Sequence, residues 1–226
     1  MDVLQFIANP RNDFIGHTVQ YLDICGISIL LAMLIGITLA IAVSRNAVAA
    51  FAAVNLSGLM RAIPVIAFLL AVIPILHTGD PPTITALVVL GIPPILLNTY
   101  TGIRGIDPAT IDAARGIGMT TWQIVTRVQT PLVLPTIAAG IRTSAVQIVA
   151  TATLAAYIGA GGYGDYIVDG VNTFKNQEIL AGAIPVAILA MIIEVCMSWL
   201  QRILTPEGIR QDKLNEDIQS ITPISL

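Results

Sequence analysis

Residues 107–122 form the most polar internal stretch of the chain and read DPATIDAARGIGMTTW. Asp107 followed by Pro108 is a typical helix start, because the carboxylate caps free N–H groups and proline suits the first helical position. The pattern predicts a short helix over 110–115, which two following glycines would end. The first half of the stretch is therefore expected to be a short surface helix closed by a tight turn.

The second half predicts another short helix, capped by Thr120 or Thr121 and reaching Arg127. Small alanines allow another backbone to approach closely, and Met and Trp side chains offer apolar contact. A helix–turn–helix of this kind is suited to docking a second protein, and an ordinary surface loop is the alternative. The candidate docking residues are Asp112, Ala113, Ala114, Arg115, Gly118, Met119 and Trp122.

Three ionisable residues, Arg61, Arg142 and Glu194, lie inside apolar segments, where such groups are functional candidates. At 1.5 Å per helical residue, Arg142 and Glu194 lie roughly 16 and 14 Å from the same end of their spans. We therefore predict that they pair. The alternative is that one of them reaches the interface or lines a wet cavity alone.

Several uncharged polar residues in apolar segments could line a route through the membrane. Thr143, Gln147 and Thr151 recur every four residues and so share one helix face. Such a face can equally be a contact between helices, since hydroxyl side chains serve that role in membranes. The further candidates are Asn98, Thr99 and Ser144.

The chain has no sequence Gly-x-x-x-x-Gly-Lys-Ser/Thr and only two lysines, Lys175 and Lys213. It therefore lacks a phosphate-binding loop and should not hydrolyse ATP itself. The glycines at 159–164 follow a membrane segment without the strand that a dinucleotide fingerprint needs, so they indicate a sharp turn. No catalytic or metal-binding group is predicted.

The elements that position these residues are membrane helices. The 226 residues are 55% hydrophobic and 11% charged, whereas soluble domains carry about a quarter charged residues. About 20 apolar residues cross a bilayer. We predict an all-α membrane protein with about five transmembrane helices, the second of them kinked at Pro64, or else a surface helix followed by a short span. The five segments are residues 24–43, 46–76, 83–103, 128–158 and 179–204.

The basic residues predict the orientation of these spans. If the loop 104–127 is cytoplasmic, seven of the eleven Lys and Arg residues lie inside, two outside and two within the membrane. The positive-inside rule then predicts an outside N-terminus and a cytoplasmic C-terminus. One transmembrane domain, 1–226, is expected, with a lead-in (1–21), a membrane core (22–205) and a cytoplasmic tail (206–226).

The polar loop resembles the "EAA" loop of ABC-importer permeases. Asp112-Ala113-Ala114 stands where that loop has Glu-Ala-Ala, Gly118 lies six residues after the Asp, and Pro131 and Pro135 lie nineteen and twenty-three after it. Asp in place of Glu keeps the charge and shortens the side chain. Across residues 14–205 the chain looks like the methionine-type permease fold, and the stretches 98–120 and 151–167 look most like its osmoprotectant branch.

This resemblance implies the permease subunit of a binding-protein-dependent importer in the bacterial inner membrane. The loop 104–127 would be the coupling helix that sits in a groove of a separate ATPase, which binds ATP and Mg. Two permeases, identical or related, two ATPases and an external binding protein would form the complex. The expected cargo is an osmoprotectant such as glycine betaine, choline or carnitine.

The polar segment before the last span would then face the docked binding protein through Asp165, Asp169 and Lys175, unless these residues only face water. A cationic cargo would require Arg61 to be neutralised or turned away. Two other functions remain open: a methionine-type amino-acid importer, and an ion-coupled carrier that works alone.

Overall fold

The computed structural model describes residues 6–7 and 12–204, and within those residues every regular element is a helix. The predicted all-α class is confirmed. The predicted tail and most of the first eleven residues lie outside the described part. The helices are α1 (Phe14–Ser44), α2 (Ala47–Ala62), α3 (Val65–Leu76), α4 (Asp80–Arg104), α5 (Pro108–Gly116), α6 (Thr121–Ile124), α7 (Thr130–Ala152), α8 (Tyr163–Thr173) and α9 (Asn176–Leu204).

Four helices are long and apolar enough to cross a membrane: α1, α4, α9 and the continuous helix Thr121–Ile158, which contains α6 and α7. The pair α2 and α3 makes five if it is one broken span. The first span begins at Phe14, so it includes the last third of the predicted lead-in 1–21. Asp13 caps this helix by accepting a hydrogen bond from Gly16 N.

The prediction of one kinked helix over 46–76 is wrong, because α2 and α3 are separate helices bent by 97°. Ile63 has an extended backbone, with φ −74° and ψ 123°. The ring of Pro64 disfavours a helical conformation in the residue before it and removes one backbone donor. The helix therefore stops at Ala62 and restarts at Val65, and Arg61 stands in the last turn before the break.

The centre of the bundle is the contact of α4 with α1 and α7. A Cβ atom on Gly91 would lie 2.8 Å from Ile148 Cδ1 on α7 and 3.0 Å from Ala32 Cβ on α1. Ser144 Oγ donates a buried hydrogen bond of 2.8 Å to Gly91 O. Small residues allow this approach, which is the usual way in which membrane helices pack.

The bundle has two ends. The loop end holds α5, α6 and the end of α1 at Ser44. The aromatic end holds the start of α1, the end of α3, the 3₁₀ segment Thr153–Ile158 and α8. Hydrogen bonds tie this second end together, from Gly79 N to Ile158 O (3.0 Å) and from Tyr163 Oη to Thr18 Oγ1 (2.9 Å).

The polar segment 159–177 contains a helix, α8, which the sequence analysis did not predict. Three glycines with positive φ turn the chain after Ile158, and α8 then buries Tyr163 and Tyr166 against α1. Gly182 of α9 packs against Tyr163 O so closely that a Cβ would lie 2.5 Å from it. Because α8 is polar on one side, counting the apolar segments of the sequence did not reveal this helix.

We predict that Gly91→Val lowers stability by about 1–3 kcal/mol, because its extra atoms overlap side chains of both α1 and α7. Gly26→Val is the matched control, since nothing lies within 4 Å of the Cβ position at Gly26. Thermal unfolding in detergent measures both. Equal unfolding temperatures for the two variants would contradict the central role of this contact.

Candidate functional site

The polar loop folds as the sequence predicts in its first half. Asp107 caps α5 by accepting a hydrogen bond from Ala109 N (2.9 Å), and Pro108 is its first residue. The helix ends with two turn hydrogen bonds, from Gly118 N to Arg115 O and from Met119 N to Ala114 O. Gly118 has φ +83°, a conformation that favours glycine. Its position in the motif therefore follows from the shape of the turn.

The surface of α5 and the turn that follows it is partly polar and partly apolar. Asp112 and Arg115 are exposed and form an ion pair of 3.2 Å. Trp122 is 74% exposed and Ile117 is 79% exposed, which leaves two large apolar side chains on this surface. Ile117 was not among the residues singled out from the sequence. Its position as an apolar residue directly before the turn glycine is the feature of the sequence that could have indicated it.

The prediction that Ala114 belongs to the docking surface is wrong, because Ala114 is buried and offers no surface to a partner. Ala113 remains exposed, and Met119 is partly buried. The helix repeat explains the difference: α5 turns Ala114 towards the rest of the chain and Ala113 outwards. The candidate contact surface is therefore Asp112, Ala113, Arg115, Ile117, Gly118 and Trp122, with Met119 at its edge.

The second helix of the loop does not end at Arg127. It begins with a capping box, in which Thr120 Oγ1 accepts from Gln123 N and Gln123 Oε1 accepts from Thr120 N. It then continues through a π-helical stretch, Val125–Gln129, into α7. Pro131 and Pro135 lack the N–H groups that an α-helix needs there, and a π stretch accommodates such local irregularity. Trp122 of the candidate contact surface therefore lies on the same continuous helix, Thr121–Ile158, that crosses the membrane.

Two of the ionisable residues inside the spans form an ion pair. Arg142 Nη2 of α7 donates to Glu194 Oε1 of α9, as the sequence predicted, and Arg142 Nη1 lies 3.5 Å from Gln201 Oε1. The two paired side chains are 33% and 41% exposed in the isolated chain. The pair therefore joins α7 to α9 at the edge of the bundle and not in its centre. Arg61 is exposed at the α2–α3 break.

The uncharged polar residues divide into two groups. Ser144 and Thr99 are fully buried within the chain, and Ser144 bonds to α4. Thr143 is exposed, and Gln147, Thr151 and Asn98 are half-buried. The structure thus makes Ser144 a contact between helices and leaves the face 143–151 partly free.

The aromatic end places charged groups around packed rings. Asp165 lies 3.8 Å from His17, and burial raises the pKa of its carboxyl above the usual range, while His17 opposes the rise and Asp169 adds to it. Burial also raises the pKa of Tyr166 to about 12. Asp169 is exposed, and Lys175 forms a 2.9 Å ion pair with Glu178.

Among residues 6–7 and 12–204, no three His, Cys, Asp or Glu side chains are arranged to hold a metal ion. The described residues form a helical membrane bundle with an exposed helix–turn–helix continuous with one span and a second set of polar groups at the far end. This arrangement suits a membrane transport subunit that works with other proteins.

Comparison with known proteins identifies the family. Residues 32–208 match the family described as binding-protein-dependent transport system inner membrane component, and the chain belongs to it. A carnitine transport permease protein of Listeria monocytogenes is 38% identical over 209 residues, which cover 92% of this chain and 96% of the relative. A glycine betaine/carnitine/choline transport system permease protein of Bacillus subtilis is 37% identical over 208 residues, with 92% and 96% covered.

Solved structures show the same fold. The MetNI methionine ABC transporter in an inward-facing conformation has a chain with a TM-score of 0.73 and 22% identity, covering 85% of this chain and 96% of that one. A bacterial alginate ABC transporter, solved in complex with an alginate pentasaccharide-bound periplasmic protein, gives a TM-score of 0.68 and 19% identity, covering 88% of this chain and 82% of that one.

The chain is therefore a multi-pass permease subunit of an ABC importer in the bacterial inner membrane. Its family implies two kinds of partner, an ATPase and a substrate-binding protein. ATP and Mg belong to the ATPase of such systems. The expected lack of a phosphate-binding loop agrees with this division of labour.

We predict that Arg142→Leu and Glu194→Leu each lower the unfolding temperature, because each leaves a charge without its partner in a span. The double leucine variant should lose less than the sum of the two, since it leaves no unpaired charge. Thermal unfolding of the purified variants measures the three values. Additive losses in the double variant would show that the pair contributes nothing.

Proposed function

We propose that this chain forms the translocation pathway of an ATP-driven importer for an osmoprotectant such as glycine betaine, choline or carnitine. The observation that carries the proposal is the identity of 37–38% to permeases named for these solutes, over 92% of the chain. An osmoprotectant import permease protein of Salmonella typhimurium, 33% identical over 215 residues, supports the same solute class.

The complex would contain two permease subunits, two ATPases and one external binding protein. Each ATPase would receive α5 and the turn at Gly118, with the exposed Trp122 and Ile117 as apolar anchors. Aromatic side chains that stand free on a surface are typical anchors of protein contacts. The ATPases, and not this chain, would bind ATP and Mg.

Closure of the ATPases would draw the two docking surfaces together. The helix Thr121–Ile158 would carry that displacement through the membrane, because it is unbroken from the loop end to the aromatic end. Its contacts with Gly91 would move α4 with it. The pathway would switch from inward-facing to outward-facing, receive the solute, and reset on hydrolysis.

The loop end would face the cytoplasm. Arg104, Arg115 and Arg127 belong to the loop, and Arg45 and Arg202 flank the ends of α1 and α9. These five residues place an excess of positive charge at one end, as the positive-inside rule requires. Arg210 and Lys213, which the same prediction counts as inside, lie outside the described residues.

The solute would pass the free face of α7. Thr143, Gln147 and Thr151 lie there, and Asn98 of α4 contacts α7 at Gly140. All four side chains are uncharged. A surface of this kind can exchange hydrogen bonds with a carboxylate or hydroxyl and does not repel a quaternary amine. Solute selection would then rest mainly with the external binding protein.

The coupling assignment predicts that Gly118→Asp abolishes ATP-driven uptake. The Cβ position at Gly118 meets no atom within 4 Å, so an Asp side chain causes no clash there, although φ +83° strains the backbone of any residue other than glycine. The carboxylate would be placed in the ATPase contact. Uptake of labelled solute into proteoliposomes, measured with the unfolding temperature, reports the effect. A loss of at least about tenfold, equivalent to about 1.4 kcal/mol, is expected.

Gly118→Asn is the matched control, because Asn has the same shape and tolerates positive φ as Asp does. It should retain most of the uptake, which would assign the loss in Gly118→Asp to charge at the ATPase contact. Normal ATP-driven uptake by Gly118→Asp would contradict the coupling assignment. Uptake without any ATPase would favour the ion-coupled carrier.

The solute class is tested with the purified external binding protein. We expect calorimetry to detect binding of glycine betaine, choline or carnitine and none of methionine. The same solutes should compete for ATP-driven uptake by the reconstituted complex. Binding of methionine alone would instead favour the amino-acid importer, to whose solved relatives the fold is similar.

A further inference from the structure

Phe174 stands at the corner between α8 and α9 with 93% of its surface exposed. It is also one of three non-glycine residues with positive φ among the described residues, at φ 56° and ψ 35°. Positive φ is uncommon for residues other than glycine and is a marked outlier for a bulky one. A large aromatic side chain in a strained backbone position, exposed at the same time, calls for a physical reason.

The corner itself does not require phenylalanine. Lys175 N donates to Gly170 O (2.9 Å) and Phe174 N to Val171 O (3.4 Å), which is the pattern that closes a helix through a left-handed residue. Glycine is the usual residue at that place, because it adopts the conformation without strain. Folding alone would favour glycine, so the aromatic ring has to contribute outside the isolated chain.

The corner is rigid. The Cβ position at Gly170 lies only 2.6 Å from Ile179 N, so α8 and α9 touch there. Glu178 accepts from Lys175 Nζ (2.9 Å) and from Thr173 Oγ1 (3.3 Å), which pins the turn on both sides of Phe174. A ring held on a fixed support loses little freedom when a partner covers it.

The surroundings of the ring indicate a protein partner. Val171, 51% exposed, lies one turn before Phe174 and extends the apolar spot. The residues next to it along the chain are polar and exposed: Asn172, Thr173, Lys175, Asn176 and Gln177. An apolar centre within a polar rim is the layout of a protein interface, whereas a face in contact with lipid tails is apolar throughout.

We propose that Phe174, with Val171, is the anchor by which the permease holds its external substrate-binding protein. This inference rests on the proposed function, which supplies that partner. The corner is at the aromatic end, away from the loop end that would receive the ATPases. The exposed Asp169 lies on the same helix, and its carbonyl oxygen accepts a hydrogen bond from Thr173 Oγ1, next to Phe174. A patch on the binding protein with an apolar centre and a basic group fits this arrangement. A second permease would meet the chain through its apolar spans and not through this polar rim.

The test is a titration of purified, solute-loaded binding protein against the complete transporter in proteoliposomes, with ATP-driven uptake as the readout. Phe174→Ala should raise the half-saturating concentration of binding protein by about tenfold or more and leave the rate at saturation unchanged. Phe174→Trp should retain the wild-type value. Tyr157→Ala removes another exposed aromatic of the same end, and should leave the half-saturating concentration unchanged.

Phe174→Gly separates docking from folding. It should raise the unfolding temperature, because glycine relieves the strained turn, and weaken docking as much as Phe174→Ala does. Equal half-saturating concentrations for wild type and Phe174→Ala would overturn the inference. A change in the number of permeases per complex, or in retention by protein-free vesicles, without a change in docking would overturn it too, in favour of a second copy or of lipid. Wild-type uptake that ignores the binding protein would overturn the proposed function and this inference with it.

Discussion

The close approach of α4 to α1 and α7 is the contact on which the rest of the structure depends. Helices in a bilayer gain little from hiding apolar surface, since lipid is as apolar as leucine, so association depends on packing and hydrogen bonds between helices. Gly91 lets both neighbours come near, and Ser144 donates to its carbonyl oxygen from α7. The bent pair α2–α3 and the outer helix α9 are arranged around these three helices. A larger distance between α4 and its two neighbours at Gly91 would displace the surfaces at both ends of the bundle.

Within this packing, the unbroken helix Thr121–Ile158 connects the loop end of the bundle to the aromatic end. Its first turn carries Trp122 on the docking surface, its middle holds Ser144 against α4, and its end contacts α3 through Ile158. In the proposed mechanism, a displacement imposed at the loop end would reach the aromatic end along this one continuous helix. The π-helical stretch Val125–Gln129 accommodates Pro131 and Pro135, which follow it near the start of this helix.

Charge is distributed so that the bundle interior stays neutral. Arg142 and Glu194 neutralise each other between α7 and α9, and Arg61 stands exposed where the α2–α3 break ends a helix. Most of the other charged groups of the described part lie near the ends of helices, and Asp23, within α1, is exposed. The loop end is basic, and the aromatic end carries Asp165 and Asp169. An importer for small organic ions benefits from this arrangement, because no unpaired charge at the centre binds or repels the solute.

Composition and spacing alone determined the helical membrane class, four of the spans, the start of α5 and the partners Arg142 and Glu194, because apolar length, capping residues and helical rise are local or additive properties. The particular motif at 112–118 also determined the family. The sequence did not determine the 97° bend, the burial of Ala114, or the helix α8 hidden in a polar segment. Nor did it indicate the strained exposure of Phe174. These features depend on which neighbour each face meets and on how closely two backbones approach, and only the tertiary structure decides that.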